Sequence, residues 1–194
     1  MKFKLVFNKI SFLLLTICIC FSSCGQKISH QDALNYCVTI QQQVATSKKA
    51  YDISLGEIKI QVKNAQRSET KKIDKEIVDT LRKHFKNFIA GLNKNIEILN
   101  SVKEIDTQID FKNKTFNYLN ALKKLELISM PQIFNLLENG LNTLTAQQKE
   151  DNKSILSQSE KVKNTNIESQ KAFLDFLKRY GIKDEELKKY GLAH

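Results

Sequence analysis

Along most of this chain the apolar residues return every three or four positions, the period of one face of an α-helix. Ala33, Cys37, Ile40, Val44, Tyr51, Leu55, Ile58 and Val62 make the first such stripe, with Gly56 interrupting but not breaking it. The spacing predicts one long helix from Ser29 to about Gln66. Ser29 suits its N-cap, with Asp32 three residues on as in a capping box and Ile28 placed to staple against Ala33 or Leu34. A second stripe runs through Ile73, Ile77, Leu81, Phe85, Phe88, Leu92, Ile96, Leu99 and Val102, with Lys72, Lys75, Arg82, Lys83 and Lys86 mostly off it. Asp106 or Thr107 is expected to cap a third helix whose inward face is Phe111, Tyr118, Leu122, Leu125, Ile133 and Leu136. Pro131 should kink it near Ile128, and Asn139-Gly140 should end it. Thr145 to Gln148 reads as the capping box of a fourth helix, with a seam at Ile155, Val162, Ser169, Phe173, Phe176 and Tyr180 and a stop at Gly181. Its middle is weak, because Ser159, Asn166 and Ser169 fall at inward positions.

Short connections between four such helices predict an all-α fold. It would be an elongated up-down-up-down antiparallel four-helix bundle over residues 29–181, about 50 Å long. Residues 182–194 read as a charged C-terminal tail, with at most a loosely docked amphipathic turn at 184–190. With 6 Gly and 1 Pro in 194 residues the chain lacks the turn chemistry of an all-β sandwich.

The first 24 residues have a different pattern. Lys2, Lys4 and Lys9 precede an apolar run over residues 10–21, followed by Ser22, Ser23 and Cys24. About a dozen apolar residues fall short of the roughly 20 that span a bilayer, and the three-part layout is that of a secretion signal. Phe21-Ser22-Ser23-Cys24 resembles the lipobox of bacterial lipoproteins, with Phe where that motif usually has Leu. The resemblance implies a signal peptide at residues 1–23, cleaved between Ser23 and Cys24. It also implies that Cys24 carries a diacylglycerol and an N-linked acyl chain such as palmitate. Residues 24–28 then form the anchor and a tether of about 15 Å. An ordinary cleaved signal with Cys24 nearby is the alternative. Gly25, where an Asp would mark inner-membrane retention, points to the outer membrane. The absence of an acidic run after Cys24 favours the periplasmic over the surface face, and the orientation stays open. The remainder of the chain is similar in style to small all-helical bacterial surface lipoproteins.

Cysteine usage fits export. Cys18 and Cys20 leave with the signal and Cys24 is acylated, so Cys37 is left on the first apolar stripe as a small core residue. Removing the three lysines of the signal takes the net charge from +10 to +7. That charge suits anionic lipid, acidic polysaccharide or peptidoglycan carboxylates as partners, alongside other envelope proteins. Nucleic acid is not expected of an exported chain whose lysines lack an Arg-rich cluster or interleaved aromatics.

Catalytic, metal and cofactor motifs are missing. There is no Glu-x-x-His, no Cys-x-x-Cys-His, no Gly-rich phosphate loop and no Gly-x-Ser-x-Gly, and His30, His84 and His194 stand apart in sequence. No enzyme activity, cofactor or metal is therefore expected. The aromatics are core at this spacing, or else they line a groove opened by Pro131, with Phe85, Phe88, Phe111, Tyr118 and Pro131 as the candidate lining. The reading from sequence is a membrane-anchored, non-enzymatic interaction or structural module of the cell envelope. Its alternative is a lipoprotein that binds a lipid or small amphiphile in that groove.

Overall fold

The computed structural model describes residues 28–141 and 146–192, the side chains of 146–151 excepted. Four long helices, α1 (His30–Arg67), α2 (Lys75–Ser101), α3 (Phe111–Asn139) and α4 (Ala146–Tyr180), are followed by the short α5 (Asp184–Lys188). No strand occurs among the described residues. Each long helix packs on the next and α1 also meets α3 and α4, which makes an all-α four-helix bundle. At 1.5 Å per residue the 38 residues of α1 extend about 57 Å. One end gathers the start of α1, the α2–α3 connection and the end of α4; the other holds the α1–α2 turn and the end of α3.

Helix starts and stops follow local chemistry. The Ser29 hydroxyl accepts the Asp32 amide at 3.1 Å and donates to the Asp32 carboxylate at 2.6 Å, so a donor that would be orphaned at the N-terminus of α1 is satisfied. Gly140 (φ 113°) and Gly181 (φ 65°) end α3 and α4 in backbone conformations that a side chain would strain. After Gly181 the Ile182 amide returns to the Leu177 carbonyl at 3.0 Å, the bond of a Schellman stop. The cap expected at Thr145 lies outside the described residues.

The third helix begins later than Asp106 or Thr107. Asp106 is buried and its carboxylate accepts the amides of Gln108 and Ile109, which closes a turn ahead of the helix. Asp110 then takes the left-handed conformation (φ 58°), one that Asp tolerates, and α3 starts at Phe111. Starting there rotates the buried stripe to Phe111, Thr115, Leu119, Leu122, Glu126, Met130, Phe134 and Leu137. Tyr118, Leu125, Ile133 and Leu136 flank it, half-buried. On α2, Val78 is buried in place of Ile77, which is 39% exposed, so the buried stripe runs Val78, Leu81, Phe85 and Phe88. The helix α3 runs unbroken through Pro131. Pro131 has no amide to give the Leu127 carbonyl, but both residues are exposed, so water can serve that oxygen.

The end of the bundle where α1 begins carries the densest packing. The Phe176 ring lies 5.2 Å from Tyr36, 5.6 Å from Phe111 and 4.5 Å from Tyr180, and Phe111 lies 5.6 Å from Phe173. Residues 182–192 belong to this packing, contrary to the loosely docked tail expected from their charge. Ile182 is 6% and Leu187 0% exposed, because the turn after Gly181 folds these two apolar residues under the bundle. The first half of α4 is the opposite case. From Asn152 to Glu168 no residue is buried, since Ser159, Asn166 and their neighbours offer too little apolar surface to hold a third helix against it.

Truncating Phe176, with no exposed surface and three ring partners, should cost about 3–5 kcal/mol of stability. Urea unfolding of Phe176→Ala followed by circular dichroism checks this, with Leu174→Ala, on the exposed face of the same helix, expected to shift the midpoint little.

Candidate functional site

Ser22, Ser23 and Cys24 lie outside the described residues. What is described is the platform to which they lead. Ile28 packs against the core, and two residues later His30 links three elements. Its Nδ1 faces the Tyr180 carbonyl oxygen at 2.9 Å and its Nε2 faces Glu186 Oε1 at 2.8 Å. Both partners are acceptors, so the geometry is satisfied only by an imidazolium with two N–H donors. The bond to Glu186 is the main cause raising the His30 pKa, with the Tyr180 carbonyl next, and the same bond is the main cause lowering that of Glu186. Next to it, Asp106 accepts from the Tyr180 hydroxyl at 3.1 Å and pairs with Arg179 at 3.1 Å. Glu104 accepts the Tyr36 hydroxyl at 2.6 Å and the amides of Asp106 and Lys112. These bonds tie α1, the α2–α3 connection, the start of α3, the end of α4 and α5 together at the end where α1 begins.

The His30–Glu186 bridge carries a pH dependence. A raised histidine value gives stability present below its unfolded value near 6.5 and lost as pH climbs through the folded value; a lowered glutamate value gives stability present above about 4.5 and lost on acidification. Amide protection factors across α5 should therefore be highest at about pH 5–6 and fall by about pH 8, and His30→Gln should flatten the alkaline limb. Both groups are solvent-exposed, so the effect belongs to local opening of α5 and not to global stability.

The residues proposed for an apolar groove do not form one surface. Phe111 has no exposed area and sits in the aromatic packing near the start of α1, some 20 residues or about 30 Å along α3 from Pro131. Phe85 and Pro131 do meet. With Arg82, Lys86 and Phe134 they line an open recess of about 280 Å³ between α2 and α3, in which Phe85 and Phe134 meet edge-on at 5.8 Å. Arg82 on its rim pairs with Asp79 at 2.8 Å and Glu138 at 2.6 Å. Phe88 opens to the other side of α2. It stacks near Tyr51 at 5.8 Å and helps line a groove of about 340 Å³ between α1 and α2, where His84 Nδ1 bonds Glu57 Oε2 at 2.8 Å. Tyr118 is half-buried on α3, its phenol pushed up first by burial and then by the charge of Asp52.

Three polar features lie inside the bundle. Asn95 donates to the Ser47 hydroxyl at 2.8 Å between α1 and α2, and Thr115 and Ser169 share a bond of 2.9 Å between α3 and α4. The third is Glu126, 2% exposed, whose carboxyl takes a hydrogen bond from Tyr51 while Oε2 has no partner. Burial pushes its pKa up to about 7 against the opposing effect of the Tyr51 bond. The sequence pattern contained the clue: Leu122, Met130 and Phe134 stand four and eight residues from Glu126, so a stripe through them includes it. Cys37 has no exposed surface and burial pushes its thiol up to about 12, which makes it an inert core residue.

Because Glu126 binds its proton more tightly folded than unfolded, it lowers stability as pH rises from about 4.5 to about 7, and the penalty persists above that. Glu126→Gln should thus gain about 1–3 kcal/mol on the wild type between pH 5 and pH 8. Urea midpoints at the two pH values check it; equal differences at both would show that Glu126 stays charged in the fold.

Among the described residues no three His, Cys, Asp or Glu side chains converge to hold a metal ion, and no helix is long and apolar enough to cross a membrane. Comparison with known proteins finds no matching family model, no matching curated protein and no matching solved structure.

Proposed function

We propose that this chain is a membrane-anchored, non-enzymatic lipoprotein that works as an interaction or structural module of a bacterial cell envelope, held by acyl chains on Cys24. The observation that carries the reading is the placement of Phe21-Ser22-Ser23-Cys24 between an apolar run behind three lysines and the capped start of α1 at His30. Four residues separate Cys24 from the Ser29 cap, so the tether reaches about 15 Å and the bundle end with the aromatic packing faces the bilayer. The side chains bonded there bind helix to helix, as a stalk requires. Three acyl chains on one residue, two in the diacylglycerol and one on the amine, exceed the two that stable membrane attachment needs. The outer membrane is the location that Gly25 supports.

A second reading, binding of a lipid or small amphiphile, draws on the recess of about 280 Å³ at Phe85, Pro131 and Phe134 with Arg82 and Lys86 at its rim. An anionic head group would pair with Lys86, since Arg82 already serves two carboxylates.

Expressed in a bacterium with lipoprotein processing, the wild type should fractionate with membranes and incorporate labelled palmitate. Cys24→Ser should lose the label and the processing shift. Palmitate incorporation that survives this substitution would contradict the assignment.

A further inference from the structure

The net charge is concentrated at the end of the bundle remote from Cys24. Between residues 59 and 86 there are nine Lys and Arg against four Asp and Glu, so this hairpin tip holds five of the seven net positive charges left after the signal is removed. The fold brings the two arms of the tip together, the last turns of α1 on one side and the first of α2 on the other. Lys63, Arg67, Lys72, Lys75, Lys83 and Lys86 are all exposed, and among the described residues none of them has a carboxylate within 4 Å. Arg82 differs, being paired with Asp79 and with Glu138 of α3.

The backbone presenting these charges is fixed. The Ile73 amide donates to the Leu137 carbonyl at 2.9 Å and the Leu141 amide to the Lys71 carbonyl at 3.2 Å, which staples the turn to the end of α3. Ser68 caps α1 and its hydroxyl bonds the Lys72 backbone on both its amide and its carbonyl. Ordering such a turn on binding would cost entropy; here folding has already met that cost. Uncompensated charges of one sign on a rigid tip repel each other and raise the local potential, an arrangement complementary to an extended polyanion.

We infer that the α1–α2 tip is a docking surface for an acidic polysaccharide, a chain of sugars carrying repeated carboxylates. This deepens the anchored reading and rests on it for the choice of partner. With Cys24 in a bilayer, a bundle of about 57 Å holds the tip well beyond the Debye length from that membrane's own head groups, so it meets polymers in the surrounding layer and not the lipid below.

The test uses the full chain purified in neutral detergent, with polygalacturonate as probe and neutral dextran as control. Binding to polygalacturonate should weaken at least tenfold between about 50 and about 300 mM NaCl, and dextran should not bind. Reversing three tip charges (Lys63→Glu, Lys72→Glu, Lys83→Glu) should weaken binding by about tenfold or more. Reversing three exposed charges at the opposite end (Lys171→Glu, Lys178→Glu, Lys188→Glu) should change it less than about threefold. Should the tip reversal lose helicity by circular dichroism, the milder Lys63→Gln, Lys72→Gln, Lys83→Gln protein carries the comparison and should bind more weakly than the wild type. Equal losses at the two ends would reduce the effect to net charge and overturn the inference. So would no binding to polygalacturonate, or tip-dependent binding confined to phosphatidylglycerol vesicles. Cys24→Ser should bind polygalacturonate as the wild type does, so failure of the anchor and failure of the tip are separate results.

Discussion

The packing of Phe176 against Tyr36, Phe111 and Tyr180 is the constraint on which the rest of this bundle depends. It joins α1, α3 and α4 at one level, and Phe176 lies 140 residues from Tyr36 and 65 from Phe111 along the chain. Rings of this size exclude water from their surroundings, and the groups caught there must be bonded internally. That requirement explains the carboxylates of Glu104 and Asp106, which accept from Tyr36, Tyr180, Arg179 and four backbone amides in and beside a connection with little regular structure. It also explains why α5 docks, since Leu187 and Ile182 complete the same apolar surface.

Between the two ends the interior takes in polar groups. Ser47 with Asn95, and Thr115 with Ser169, are matched pairs that set helix register at little net gain or loss. Glu126 is only half matched, and its free oxygen costs stability whenever the carboxyl is ionised. From Asn152 to Glu168 α4 buries no residue and rests on α3, with Gln158 donating to the Ala121 carbonyl at 3.1 Å. Local opening should therefore begin there, while the end near Cys24 stays closed.

Most of the architecture was legible because periodicity and caps act locally. Ser29, Gly140 and Gly181 each close a helix by bonds within a few residues, and the stripe of α2 from Leu81 to Leu99 needs no partner to be recognised. Where the reading failed, a tertiary contact had overridden a local signal. Asp106 has the chemistry of a helix cap, but Tyr180 and Arg179 draw it into a turn, which delays α3 and rotates its buried face. Leu187 lies among Asp and Glu in a tail that looks solvated, and only the folded chain reveals the apolar surface waiting for it. Phe111 and Pro131 were grouped by shared chemistry, whereas their separation along one unbroken helix keeps them apart. The tip charge was scattered in sequence and became a cluster only when α1 and α2 folded side by side.

The functional account stands on the attachment of the bundle at Cys24, and the measurement that bears on it most directly is the mass of the N-terminal peptide of protein taken from native membranes. The account predicts a chain that begins at Cys24 and carries a diacylglycerol on its sulfur. A chain that begins elsewhere, or an unmodified Cys24, would contradict it, and the protein would have to be understood as an unanchored helical bundle with a basic tip.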